Sequence, residues 1–220
     1  MSIAFGLYDF FSYTIPGILY ILVANQFLSL LKLPNIDVND LNANIGSTIL
    51  WVAIAYVVGQ LMDSFSIRLY YWINKFHAET KAMKEFREKH KDLAIDFTIN
   101  DRQTLFSVIR HNNLDLALYI DNFKAISIML NNISLALFLF SIEQFIAIFF
   151  DGFSLAALAT IAVSAIFGYV AITRSALFNQ WHWAAVYRHA RQYGKSVPEM
   201  FKVPLPVRNK PTTDVKDTKK

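Results

Sequence analysis

Residues 125–172 read AISIMLNNISLALFLFSIEQFIAIFFDGFSLAALATIAVSAIFGYVAI, and this stretch decides the fold. It contains no lysine or arginine, and its only charged residues are Glu143 and Asp151. The Asp151-Gly152 pair divides the stretch into two apolar segments. Each segment is long enough to cross a hydrocarbon core of about 30 Å, which needs about 20 helical residues. The sequence therefore predicts two membrane-spanning helices joined by a tight turn.

Two earlier segments, 10–31 and 45–62, are also long and apolar enough to span, and the helical pattern of the second continues towards Trp72. None of the four segments alternates in polarity as the strands of a membrane barrel do. We therefore predict an all-α protein, a four-helix transmembrane bundle with spans at 10–31, 45–62 and within 125–172. Residues 1–9 lack lysine and arginine, so the first span is interpreted as a retained anchor rather than a signal peptide.

The basic residues predict the orientation of the chain. Of the 21 lysines and arginines, all but Lys32 lie either between the second and third spans or after the fourth span. Because lysine and arginine accumulate on the cytoplasmic side, we expect both termini and residues 73–124 to be cytoplasmic. The chain is therefore predicted to cross a membrane several times, with 33–44 and the Asp151-Gly152 turn facing outward.

The predicted cytoplasmic parts are three. Residues 73–124 are expected to form a helical hairpin, with a charge-rich helix in 75–91 and a second helix from 101 to 121. About 50 residues bury little apolar surface, so this hairpin should rest on the membrane, on the C-terminal helix or on a neighbouring subunit. Residues 173–200 are predicted to form an amphipathic helix, and 201–220 a disordered tail.

Polar residues inside the spans are the main candidates for a site, and Glu143 is the first of them. Gln144 adjoins it, and Asn25 and Gln26 lie at a similar depth on the first span. One interpretation is a cavity or pore lining in which Glu143 binds a cation or titrates. The other is a protonated carboxyl group that hydrogen-bonds to Asn25 or Gln26, or a salt bridge to Lys32.

A second polar layer lies nearer the predicted cytoplasmic side and consists of Gln60, Asp63, Asn131 and Asn132. Amide bonds between helices would align the spans, which is the interpretation we favour for this layer. A continuous polar path from this layer to Glu143 would instead predict a channel.

Two further groups are predicted to form contacts. Small residues spaced by about one turn allow helices to approach closely in lipid, either within one bundle or between copies of the chain. Basic and aromatic residues after the fourth span are typical of an interfacial or partner-binding helix. The first group is Ala55, Gly59, Thr160, Ser164 and Gly168, and the second is Trp181, Trp183, Tyr187, Arg188 and Arg191.

The sequence offers no visible catalytic chemistry. It has no cysteine, which excludes thiol catalysis and iron–sulfur clusters, and it has no zincin histidine pair, Walker loop, GxGxxG or GxSxG motif. The net charge of +4 follows from membrane topology, so it does not indicate nucleic-acid binding. We expect a protein without enzymatic activity, bound metal or cofactor.

Three short stretches resemble a group of small bacterial membrane proteins with four spans and a cytoplasmic hairpin between the second and third. These stretches are YDFFSYTIPG at 8–17, GQLMD at 59–63 and RSALF at 174–178. Such proteins often occur in defence or stress loci. The resemblance implies a sensor or a membrane-perturbing effector.

The spans and cytoplasmic segments, together with the resemblance, therefore predict an oligomeric sensor or scaffold of the bacterial inner (plasma) membrane that couples a membrane event to a cytoplasmic protein partner; the resemblance implies a role in phage defence. Its expected contacts are the lipid bilayer, further copies of the same chain and that partner. The alternative is a channel or pore-forming effector with a polar path around Glu143.

Overall fold

The computed structural model describes residues 3–34, 45–74, 78–89 and 102–194. These residues contain helices and no strand, which confirms the all-α prediction. The predicted tail at 201–220 and most of the first interhelical loop lie outside the described residues. The helices are α1 (Ile3–Leu30), α2 (Ile45–Ile73), α3 (Ala78–Lys89), α4 (Arg102–Asn112), α5 (Leu114–Asp151) and α6 (Leu155–Gly194).

Four of these helices, α1, α2, α5 and α6, are long and apolar enough to cross a membrane. Large apolar side chains such as Phe149, Phe150, Ile166 and Phe167 are exposed on their outer surfaces. Lipid tails solvate such side chains as readily as a protein interior does, whereas a water-soluble surface rarely exposes so many. The chain is therefore a multi-pass membrane protein.

Hydrogen bonds between helices define their directions. Ser12 on α1 donates to the carbonyl oxygen of Ala125 on α5 over 2.9 Å, and Tyr20 donates to that of Asn132 over 2.8 Å. Tyr20 follows Ser12 in α1, and Asn132 follows Ala125 in α5. The two helices therefore run in the same direction. The short turn at Gly152 reverses the chain, so α6 runs antiparallel to α5.

The two ends of the bundle differ. The turn end contains Gly152 and the last residues of α1. The stalk end contains α3, α4, residues 114–124 of α5 and residues 175–194 of α6. At 1.5 Å per residue, the 38 residues of α5 and the 40 of α6 extend about 57 and 60 Å, well beyond a hydrocarbon core of about 30 Å. Both helices therefore continue unbroken from the spans into the stalk end.

The helix predicted from 101 to 121 is divided in the structure. Asn113 caps α5, and its side-chain oxygen accepts a hydrogen bond from the backbone N–H of Leu116 at 3.0 Å. Asparagine favours this position because its side chain replaces a missing backbone partner, which competes with a continuous helix. The first half of the predicted helix is α4, and the second half belongs to the same helix as the third span.

A hydrophobic cluster, the stalk core, joins four helices at the stalk end. Its fully buried members include Leu105 and Ile109 of α4 and Val186 and Tyr187 of α6. Both α3 and α4 pack against α6. The small hairpin is expected to rest on the membrane, on the C-terminal helix or on a neighbouring subunit. The structure shows its contact with the C-terminal helix, α6. The remaining members of the stalk core are Ala82, Ala117 and Ile120.

Helices α1 and α2 approach each other at two glycines. A Cβ atom added to Gly17 would overlap the backbone of Ala55, and one added to Gly59 would overlap the backbone of Tyr13. Only glycine fits at these positions. Ala55 and Gly59, the small residues predicted on α2, therefore make a contact within one chain. Gly17 supplies the matching contact from α1.

Candidate functional site

A polar cluster joins three spans near the middle of the bundle. The side-chain amide of Asn132 on α5 donates to the Asp63 carboxylate on α2 at 3.1 Å, and it also reaches the carbonyl oxygen of Ile128 at 3.2 Å. The Tyr20 hydroxyl on α1 donates to the backbone and side-chain oxygens of Asn132 at 2.8 and 3.3 Å. Ser66 donates to the backbone oxygen of Asp63 at 2.9 Å. Asn132 therefore links α1, α2 and α5.

The other two residues of the predicted inner layer lie apart from this cluster. Gln60 is exposed and donates to the Tyr56 hydroxyl of its own helix at 2.9 Å. Asn131 is buried, and its side-chain oxygen has no hydrogen-bond partner. Successive helical residues point about 100° apart, so Asn131 and Asn132 occupy different faces of α5.

Glu143 is buried in the outer part of α5, with 5% of its surface exposed. Its carboxylate accepts a hydrogen bond from Gln144, the next residue, at 2.9 Å. A cavity of 450 Å³ adjoins it and is otherwise lined by Tyr20 and by apolar residues of α1, α2 and α5: Val23, Ala24, Phe27, Val58, Met62, Leu139, Ile142 and Ile146. Glu143 therefore faces an apolar cavity within one chain.

The predicted partners of Glu143 on α1 do not line this cavity. The α1 residues that do, Tyr20, Val23, Ala24 and Phe27, repeat at helical spacing and form one face. Asn25 and Gln26 follow Ala24 and, at helical spacing, point away from that face; Gln26 is exposed. Lys32 is also exposed, in the turn after α1. The hydrogen bond to the carboxylate comes instead from Gln144.

Serine side chains form a seam between α5 and α6. Ser127 and Ser175 share a hydrogen bond at 2.9 Å, Ser141 and Ser164 share one at 2.7 Å, and Ser134 donates to the carbonyl oxygen of a glycine on α6 at 2.7 Å. The three serines of α5 are not among the site residues predicted from the sequence, although their seven-residue spacing places them on one helical face. This serine seam consists of Ser127, Ser134, Ser141, Ser164 and Ser175.

The predicted small ridge on α6 faces this seam. Ser164 belongs to it, and the glycine bonded by Ser134 is Gly168. Thr160 is half-buried and donates to the carbonyl oxygen of Ala156 on its own helix at 2.9 Å. At Ser164 and Gly168, the ridge thus packs within the bundle of one chain.

The aromatic residues predicted at an interface separate into two groups. Trp181 is 44% exposed, as expected for an interfacial side chain. Tyr187 is fully buried in the stalk core, with its ring centre 5.9 Å from that of Phe86, and Trp183 packs against the same core. Helix α3 covers this face of α6, which the sequence pattern does not reveal. Arg188 is exposed, and the side chain of Arg191 lies outside the described residues.

A second cavity, the junction pocket, lies where α1, α2, α4 and α5 meet. It has a volume of 470 Å³ and a largely polar lining. Sequence analysis singled out only Gln60 among its members, because the rest come from segments far apart in the chain. The lining residues are Tyr13, Tyr56, Gln60, Phe106, Arg110, Asp121, Lys124, Ala125 and Ile128.

Within the described ranges, no three histidine, aspartate or glutamate side chains lie together in an arrangement suited to a metal ion. No protein-family model, curated protein or solved structure matches this chain. The function of this chain therefore has to be inferred from the chemistry of its side chains and from the continuity of its helices.

Proposed function

We propose that this chain is a non-enzymatic sensor or scaffold of the bacterial inner membrane that couples a change in the bilayer to a protein partner at the stalk end. The observation that carries the proposal is the continuity of α5 and α6, which run from the spans into the stalk end without a break. A continuous helix transmits tilt and displacement along its length. A membrane event therefore has a direct mechanical route to the stalk end.

Two features strengthen this route. The serine seam holds α5 and α6 together along the spans, and the stalk core holds them to α3 and α4. Helix α3 follows α2 after a connection of only a few residues. Because α2 ends near the stalk while α5 and α6 continue, a change in the tilt of α2 relative to this joined pair would move α3 against α6.

The proposed partner surface is the outer face of the stalk end. Lys81, Lys84 and Glu88 of α3 and Arg188 of α6 are exposed there. The distribution of basic residues supports a cytoplasmic stalk end, with both termini on the same side. The proposal includes assembly of several copies and, from the resemblance, a role in phage defence.

Distance measurements between spin labels test the coupling. The chain has no cysteine, so Lys84→Cys on α3 and Arg188→Cys on α6 can be labelled selectively. The labelled chain is placed in bilayers of increasing acyl-chain length. We expect the distance distribution to shift with thickness. A distribution that stays constant across the series would contradict the proposal.

Proline variants provide the matched control. Asn122→Pro removes a backbone donor within α5, between the spans and the stalk core, and should abolish the shift. Leu114→Pro places proline at the first position of the same helix, where it is tolerated, and should retain the shift. Equal behaviour of the two variants would show that α5 does not transmit the change. In cells, only Asn122→Pro should lose protection against phage in a plaque assay.

A channel is the second candidate, and the observation that favours it is the burial of Glu143 beside a cavity of 450 Å³. Apart from Tyr20 and Glu143, the described lining residues are apolar, so an ion passing through this cavity would depend on the Glu143 carboxyl group as the charged member of its pathway. Ion flux into liposomes distinguishes the candidates. A channel should conduct, and Glu143→Gln should change its flux; absence of flux in both forms would exclude it.

A further inference from the structure

The junction pocket lies at the boundary between the apolar spans and the stalk end. Lys124 lines the pocket and is the last basic residue of α5, since none follows it until Arg174. On the other side, Tyr56 and Gln60 belong to the second candidate span. The pocket therefore has one wall in the bundle and one wall in the stalk. We expect the polar headgroups of a bilayer at this level, because the basic residues of α5 end here and the apolar span begins.

The stalk side of the pocket carries the charges. Arg110 comes from α4 and Lys124 from α5, and both side chains are exposed. Arginine binds phosphate through a planar pair of donors, and lysine binds it as a compact positive charge. Among the described residues of the lining, Asp121 is the only carboxylate beside Arg110 and Lys124, so the formal charge of these residues is positive. An anionic group is the electrostatically favoured occupant.

The bundle side of the pocket is aromatic and amphipathic. The Tyr56 ring stacks on Phe10 with centres 5.5 Å apart and meets Tyr13 edge-on at 5.9 Å. Gln60 bonds the Tyr56 hydroxyl, so the amide and the phenol are held together at the rim. Tyrosine is typical of membrane interfaces, where its ring contacts apolar chains and its hydroxyl group contacts polar groups. This wall suits the glycerol region of a lipid.

The walls are held in place by contacts outside the pocket. Leu105 and Ile109 are fully buried in the stalk core, and each is followed directly by a pocket residue, Phe106 and Arg110 respectively. Burial of one face of α4 thus directs the neighbouring face towards the pocket. On the bundle side, Gly59 contacts the backbone of the Tyr13 segment. The site is therefore formed by packing that needs no ligand.

We propose that the junction pocket binds the phosphodiester headgroup of one anionic membrane phospholipid, with Arg110 and Lys124 holding the phosphate. The occupant is a lipid rather than a soluble phosphate compound because the lining continues from the charged residues onto Ala125 and Ile128 of the span. This assignment goes beyond the coupling proposed above. Binding is expected even if bilayer thickness does not move the stalk end.

Native mass spectrometry of the full-length chain tests the site. Delipidated protein is titrated with phosphatidylglycerol, with phosphatidylethanolamine and with phosphatidylcholine, and retained lipid is counted. We expect one phosphatidylglycerol to bind with at least about tenfold higher affinity than phosphatidylcholine or phosphatidylethanolamine, because all three lipids offer the phosphate but the cationic headgroup of the last two is repelled by Arg110 and Lys124. Equal retention of phosphatidylglycerol and the two zwitterionic lipids would overturn the proposal.

Paired variants identify the residues. Arg110→Ala combined with Lys124→Ala should weaken phosphatidylglycerol binding by at least about tenfold. Lys81→Ala combined with Lys84→Ala removes the same number of charges from exposed positions of α3 and should leave binding unchanged. Equal losses in the two double variants would mean that overall charge, not the pocket, attracts the lipid. Circular dichroism establishes that each variant is folded.

Two further arms separate a binding role from a structural one. Asp121→Asn removes the negative charge of the lining and should strengthen phosphatidylglycerol binding, an effect that a purely structural aspartate would not produce. Inorganic phosphate in excess should not displace the lipid. Displacement by phosphate would assign the pocket to a soluble phosphate compound and overturn the lipid proposal.

Discussion

The amide of Asn132 on α5 donates a hydrogen bond to the carboxylate of Asp63 on α2 over 3.1 Å, while the same residue accepts from Tyr20 on α1. One side chain and its backbone oxygen therefore hold three spans in register. In lipid, where no hydrophobic effect drives helices together, such bonds add specificity and stability to van der Waals packing. The bundle also contains an adjacent asparagine with a very different environment.

Asn132→Ala should destabilise the bundle by about 1–2 kcal/mol, because the Asp63 carboxylate loses its amide donor and the Tyr20 hydroxyl loses one acceptor. Asn131→Ala is the control, since the Asn131 side-chain oxygen is buried without a partner and little is lost with it. The measurement is unfolding in mixed micelles as the mole fraction of SDS rises. Equal destabilisation would contradict the role assigned to Asn132.

Gly59→Ala should destabilise the contact between α1 and α2 by about 2 kcal/mol or more, because the added methyl group overlaps the Tyr13 backbone and the helices must separate. Gly168→Ala is the matched change on α6. There the new Cβ would lie 3.4 Å from the carbonyl oxygen of Ser134, an ordinary contact distance, so the loss should be small. The same SDS titration compares the two, and a larger loss at Gly168 would refute the prediction.

Leu105→Ala should destabilise the stalk core by about 2–5 kcal/mol, because Leu105 is fully buried and its removal leaves a cavity. Leu114→Ala makes the same chemical change at a side chain that is 47% exposed, and it should cost much less. Hydrogen exchange locates the effect. We expect faster exchange in α3 and α4 with unchanged protection in the spans, whereas uniform loss of protection would show that the stalk core does not unfold separately.

Gln144→Ala should destabilise the outer part of the bundle by about 1–3 kcal/mol, because it removes the amide that donates to the buried Glu143. Glu143→Gln should be neutral or stabilising, since a neutral amide costs less to bury than a carboxyl group that can ionise. In the Glu143→Gln background, Gln144→Ala should then have a smaller effect. Additive effects in this double-mutant cycle would show that the two side chains do not interact.

The number and character of the spans follow directly from the sequence. A segment of about 20 apolar residues has to form a helix in lipid, because no other backbone structure within a single segment satisfies its own polar groups there. The continuation of α2 past Asp63 is also visible as a pattern. Small residues at Ala55, Gly59 and Gly168 mark close contacts, but their spacing does not say which helix they contact.

The candidate sites are less predictable, because the partners of a side chain depend on which faces of neighbouring helices pack against each other. The depth of Glu143 matches that of Asn25 and Gln26 in the sequence, yet these two residues point away from the α1 face that lines the Glu143 cavity. Similarly, Tyr187 has the composition of an interfacial anchor and is buried because α3 covers it. The depth of a residue in the membrane can be counted along the sequence. The rotation of a helix about its own axis, which sets the direction of each side chain, depends on the neighbouring helices.

The helical character of this chain, its four segments able to cross a membrane and the positions of the polar residues along them can all be read from the amino-acid sequence. These are properties of short segments and of the transfer of each residue into lipid. Only the tertiary structure decided that Asn132 meets Asp63, that the serine seam joins α5 to α6, and that Arg110 and Lys124 line one pocket. Those relationships join residues distant in the chain, and they arise from how whole helices pack against one another.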